Sequence, residues 1–240
     1  MNFDGLTLAT MLAAAGAMAL GSAFQAALGM GVALMAAPLL ALLDPAFVPG
    51  PMLLAATLLA ALMAYGEREA LDQRMLGISY VGLAAGTVAG AFVLQALGAA
   101  HLERVIGAVI LVAVALSLFG VSVAANARGL LAAGGASGVM GVLAGLHGPA
   151  ISLAFQHADP KKARAMLGAY FTVAYLSAVA ALALVGSFGA PELARTVVLL
   201  PGVVIGFATA PLARRYVDRR VLRAGILGVA AVSGLILLVK

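Results

Sequence analysis

The residues with the most chemistry to offer lie where a helix is interrupted. Gly145, Leu146, His147, Gly148 and Pro149 break an apolar stretch that is otherwise helical in character. An ionisable side chain such as His147 is costly at membrane depth and is a functional candidate by default. It can hydrogen-bond an anion or take up a proton. The alternative is a neutral ring tied to a backbone carbonyl that the break sets free. A plainer interruption, Gly29-Met30-Gly31, lies 116 residues upstream. Paired breaks in corresponding halves of a membrane chain point to a transporter's substrate site. Pro149 suits the first turn of a new helix, where its missing N–H costs nothing. The positive end of that helix would face the break, and its free N–H groups form a natural anion site. The equivalent site in the first half starts at Gly31. The alternative for both breaks is a purely structural kink.

Side chains near the breaks extend the candidate set. Gln25 precedes Gly29 by one helical turn, and a buried amide needs partners. Tyr170, Thr172 and Tyr175 follow the second break, and Thr57 and Tyr65 lie on the corresponding segment of the first half. Their hydroxyls suit an anion or a neighbouring helix equally. The substrate-binding candidates are therefore Gln25, Gly29, Met30, Gly31, Thr57, Gly145, His147, Gly148, Pro149, Tyr170 and Tyr175. No catalytic residue, metal ligand or cofactor is expected. The chain has no cysteine, and its three histidines, His101, His147 and His157, lack metal-ligand spacing. It has no G-x-x-x-x-G-K-[ST] loop, so transport would draw on an ion gradient or the substrate's own gradient.

One motif points elsewhere. Gly135-Ala136-Ser137-Gly138 fits the GxSG pattern of rhomboid intramembrane serine proteases. Such an enzyme needs a histidine base on a later helix. Only His147 and His157 follow Ser137, and both are too near in sequence for that arrangement.

The elements that must position these residues are long and apolar. Of 240 residues, 64% are hydrophobic and only 10% are charged, which excludes an ordinary soluble domain. The apolar segments run 6–28, 31–43, 51–66, 75–97, 104–123, 130–146, 149–157, 164–186, 194–213 and 221–239. Six of them (6–28, 75–97, 104–123, 164–186, 194–213 and 221–239) are long enough, or nearly so, for a bilayer of ~30 Å. Segments 31–43 and 149–157 are too short to cross and read as half-helices or re-entrant arms. The first five residues carry no Lys or Arg, so no signal-peptide n-region is expected.

The chain repeats. Gly29 recurs as Gly145, and Gly86 and Gly90 recur as Gly202 and Gly206. Asp44-Pro45 recurs as Asp159-Pro160. The expectation is an all-α integral membrane protein of two repeats, 1–125 and 126–240. Each is a broken or re-entrant helix pair followed by three transmembrane helices. Gly86-x-x-x-Gly90, Gly134-x-x-x-Gly138 and Gly202-x-x-x-Gly206 would let helix backbones approach closely.

Charge sets the orientation. If each broken pair makes an even number of crossings, the second half is inverted. One membrane side then holds Arg68, Arg74, Arg128, Lys161, Lys162, Arg164, Arg214, Arg215, Arg219, Arg220 and Arg223. The other holds only Arg104, Arg195 and Lys240. The positive-inside rule makes the first side cytoplasmic, with both termini outside. The net charge of +5 reflects these loops, and no nucleic-acid partner is expected. The expected partners are a small anion and membrane lipids, with homo-oligomerisation left open.

The same residues carry a resemblance. Gly29-Met30-Gly31 with Ala37-Pro38-Leu39-Leu40 resembles the glycine-rich start and apolar-proline segment of the sulfite exporter TauE/SafE family. Ser137 to Pro149 resembles that family's second-half G-x-x-G-G-P signature, and Arg164-Ala165 with Tyr170-Phe171 its downstream R-A…F pattern. The chain departs from these patterns at Met30, His147 and Ala150. The resemblance covers nearly the whole chain. It implies a bacterial inner-membrane permease for sulfur-containing anions such as sulfite or organosulfonates, acting as a secondary transporter that exports. An anion channel is the other transport reading.

Overall fold

The computed structural model describes residues 6–29, 31–97, 101–119, 123–216 and 219–239. Met30 and Lys240, and the side chains of residues 213–223, lie outside the described residues. All regular structure among the described residues is helical: α1 (Leu8–Leu28), α2 (Val32–Leu43), α3 (Gly50–Gly66), α4 (Gln73–Leu97), α5 (Leu102–Leu118), α6 (Ala127–Ala144), α7 (Gly148–Phe155), α8 (Pro160–Leu184), α9 (Ala190–Tyr216) and α10 (Arg219–Val239). Six helical stretches among the described residues are long and apolar enough to cross a membrane: Leu8–Leu28, Pro45–Gly66, Gln73–Leu97, Ala127–Ala144, Pro160–Leu184 and Ala190–Leu212.

That set differs from the six expected from sequence in two places. A 3-10 turn at Pro45–Phe47 leads into α3 and brings the stretch to 22 residues. Asn126 caps α6 through the N–H of Gly129 and extends it to 18 residues. Conversely, α5 stops at 17 residues, and the described apolar stretch of α10 is Leu227–Val239.

Glycines decide which helices touch. A Cβ on Gly82, Gly86 or Gly90 of α4 would collide with Leu131, Gly135 or Val139 of α6. The registers rise together, so α4 and α6 run parallel. Gly202 and Gly206 of α9 meet Ala15 and Ala19 of α1 in the same parallel sense. Gly86 and Gly90 are the glycines that recur in the sequence as Gly202 and Gly206, so both contacts use recurring glycines.

Two other helix pairs meet the other way round. Gly168 of α8 abuts Ala60 and Ala64 of α3, whereas Gly50 at the start of α3 faces Leu182 and Phe188 at the far end of α8. Gly107 of α5 lies against Leu237, and Gly234 of α10 against Ile110 and Leu111. Both pairs are antiparallel.

The short helices fold back. Gly21 of α1 touches Val32 and Ala36, so α2 returns along the helix that precedes it. Both reversals rest on left-handed glycines, with φ of 92° at Gly29, 129° at Gly31 and 73° at Gly145. The recurring Asp-Pro pairs close the hairpins: Asp44 accepts from the N–H of Ala46, and Asp159 from that of Lys161.

Ion pairs tie the ends. Arg164 donates to Glu67 Oε1 from Nε at 2.9 Å and Nη2 at 2.6 Å, and Lys162 donates to Asp72 at 3.1 Å. Glu67 is thus a paired, partly buried carboxylate. The backbone N–H of Met75, with Lys162, holds the Asp72 carboxyl below the usual carboxylate range. At the other end Arg195 reaches Asp44 at 3.5 Å.

The packing yields a stability test. Gly86→Ala should push α4 off α6 and destabilise the protein by about 1–3 kcal/mol. Gly77→Ala, with nothing within 4 Å of its Cβ position, should be neutral or slightly stabilising through helix propensity. Thermal unfolding in detergent reads both. Equal effects would show that close helix approach is not what Gly86 provides.

Candidate functional site

The two hairpins meet at the centre of the molecule. Gln25 of α1 is 1% exposed. Its Oε1 accepts from the backbone N–H of Val32 at 3.3 Å and from the Tyr175 hydroxyl at 3.2 Å. Two donors on one atom fix the amide's orientation and make the other end the NH2 group. That Nε2 has no hydrogen-bond partner among the described residues.

Gln25 and Tyr175 line a chamber of about 10 Å³ with Gly31, Ala33, Leu34, Gly148 and Pro149. This is room for about one water. The starts of α2 and α7 thus face one space from opposite halves of the chain. The first N–H groups of a helix have no partner within it. Neither helix has an acidic residue in its first turn.

A larger cavity of about 410 Å³ leads to this chamber and shares Gly31, Leu34 and Pro149 with it. Arg164, Gln156 and Ser152 contribute its polar wall. It opens toward the end that carries the Arg164–Glu67 pair.

His147 is fully buried but turns away from the chamber lining. Its ring lies flat in the space beside Gly141 of α6, where a Cβ would overlap it. The Ser137 hydroxyl donates to the His147 carbonyl at 2.9 Å, and Ser137 Oγ lies 3.4 Å from His147 Nδ1. With its one proton committed to that carbonyl, Ser137 is left as an acceptor. His147 Nε2 has no partner among the described residues. The ring also tilts against Tyr175, with centroids 5.5 Å apart.

A serine and a histidine therefore do meet, although not on the helices that the protease pattern requires. The serine proton points at a backbone carbonyl and both side chains are sealed from solvent, so the pair braces the second hairpin.

The ring's position can be set beside the sequence recurrence at a spacing of 116. Gln25 and Gly31 correspond, 116 residues on, to Gly141 and His147. In the first half, the aligned positions hold Gln25 and Gly31, and a Cβ on Gly31 would meet nothing closer than Phe24 Cβ at 3.9 Å. In the second half, Gly141 leaves the space and His147 fills it. This exchange was not legible in the sequence, though the spacing that carries it was.

Other candidates lie apart. Thr57 returns its hydroxyl to the Leu53 carbonyl at 2.9 Å. Tyr170 stacks on Tyr80 and directs its hydroxyl to the Gly134 carbonyl at 3.4 Å. Gly29 packs against Arg164 and Leu167, and Gly145 against Met52, each in the turn that ends its helix. Met30 lies outside the described residues.

Gly141→Ala should cost about 1–3 kcal/mol, because the new methyl meets a ring held in place. The double variant Gly141→Ala, His147→Ala should recover most of that loss in thermal unfolding. Strictly additive losses would mean that the two residues do not share one space.

No curated protein and no solved structure matches the chain. One family model does, that of the sulfite exporter TauE/SafE, and it matches residues 12–237. The match spans the hairpins, the chamber and both sets of glycine contacts. The chain belongs to the sulfite exporter TauE/SafE family of sulfur-anion permeases, and is a multi-pass membrane transporter rather than an enzyme.

Proposed function

We propose that the protein is a secondary carrier that exports a small sulfur oxyanion, sulfite or an organosulfonate, across a bacterial inner membrane. One observation carries this reading. The unpartnered, buried Gln25 amide and the starts of two interrupted helices line a single chamber between the halves. Backbone N–H groups at helix starts and an amide NH2 are the donors an oxyanion needs.

The two halves of this carrier are an inverted repeat. The antiparallel α3–α8 and α5–α10 pairs support that, because equivalent helices run in opposite directions only if the halves are turned over. The basic residues support the orientation. Arg68, Arg74, Arg128, Lys161, Lys162 and Arg164 all lie at the end where the large cavity opens, and the positive-inside rule makes that end cytoplasmic. The cavity is then an inward-facing vestibule, and its sharing of Gly31 and Pro149 with the chamber supplies the path inward. A chamber with room for one water has to widen to load an anion, which fits a carrier that rocks one half against the other. A channel would need a continuous opening.

Labelled sulfite efflux from proteoliposomes tests this. Saturable flux with counterflow is expected. Gln25→Leu should lower it about ten- to a hundredfold, the loss of one hydrogen bond to a charged group. Tyr170→Phe should leave flux near the parent value. No sulfur-anion flux from folded protein, or equal losses for the two variants, would overturn the assignment.

A further inference from the structure

The charge of the substrate can be read from what faces the chamber. Among the described residues no Lys or Arg lines it, and those that do are Gln25, Gly31, Ala33, Leu34, Gly148, Pro149 and Tyr175. Along the whole sequence, charged residues cluster near helix ends and connections. Among the described residues the cation on the path is Arg164, which lines the vestibule and is already held by Glu67.

The positive potential must therefore come from dipoles. A helix start is equivalent to roughly +0.5 elementary charge, so the starts of α2 and α7 together present about +1. No acidic residue in either first turn cancels it. Gln25 adds a neutral donor whose free NH2 lines the same space. The cost of taking an ion out of water rises with the square of its charge, and a buried ion needs a matching partner. This site offers close to one unit of compensation.

We propose that the chamber selects singly charged anions, with hydrogen sulfite the carried form of sulfite, and rejects dianions such as sulfate and sulfite itself. The inference rests on the chamber being the substrate site. It names the ionic form, which the fold and the family leave open.

The test is the pH dependence of sulfite flux in proteoliposomes, with equal pH on both faces, from sulfite's second ionisation upward. Methanesulfonate, a monoanion at every pH used, serves as a parallel substrate and competitor, and sulfate as the fixed dianion. Titratable groups around the path are His147 and Tyr175 beside the chamber, with Arg164 and Glu67 at the vestibule. Any effect of theirs moves methanesulfonate flux as well.

At fixed total sulfite, flux below saturation should fall about tenfold per pH unit once past that ionisation, following the monoanion fraction. Methanesulfonate flux should hold level, and sulfate should not compete. Sulfite flux that stays level or rises with pH while methanesulfonate flux holds, or sulfate competition matching that of methanesulfonate, would overturn the monoanion rule and leave the carrier standing. Absence of flux for all three anions in folded protein would instead remove the carrier reading, and this inference with it.

Discussion

A helix that stops within an apolar layer must account for every N–H and C=O it leaves open. Hydrocarbon supplies no partner, and each unpaired group costs several kcal/mol there. Much of this molecule answers that one requirement. The left-handed glycines at 29 and 145 return N–H groups to the last turns of α1 and α6. Gln25 takes one N–H of α2. Ser137 takes the carbonyl of His147. Gln25 and the starts of α2 and α7 line the chamber between the hairpins.

Holding two such hairpins face to face demands close helix packing around them. In a bilayer, association gains little from burying apolar surface, so contact comes from backbones that approach closely. The α1–α9 and α4–α6 pairs meet this need with glycine against backbone, at matching places in the two halves. Each pair holds one arm of a hairpin, α1 against α9 and α6 against α4. The antiparallel α3–α8 pair passes between and carries Tyr175 to Gln25. Two ion pairs at one end and one at the other tie α8 and α9 to the first half.

Much of this was legible in the chain. Gly29 and Gly145 at a spacing of 116 marked both reversals, and Gly86 with Gly202 marked both close contacts. Length and hydropathy gave the helical class, but they misjudged two spans. A window of apolar residues does not register the 3-10 turn before α3 or the Asn126 cap before α6. The chamber was half visible: Gln25, Gly31, Gly148, Pro149 and Tyr175 converge, while Thr57 and Tyr170 bond to nearby helix carbonyls instead. Hydroxyl type alone does not say which way a side chain turns. His147 was visible as a residue and not as a contact, because its position depends on the vacancy at Gly141. The Arg164–Glu67 pair joins residues 97 apart in the chain, and no local pattern announces such a partner.

The exchange of Gln25 and Gly31 for Gly141 and His147 reaches beyond local packing. Two identical halves related by a twofold axis would give inward-open and outward-open states of equal energy. Here one hairpin is fastened by an amide that also faces the chamber, and the other by an imidazole that does not. Under alternating access, the two states then differ in population before any substrate arrives. Such an intrinsic bias leaves the final distribution of substrate untouched. In a carrier that alternates between two such states, it would make loading faster from one face than from the other, a rectifier of rates built from two residues.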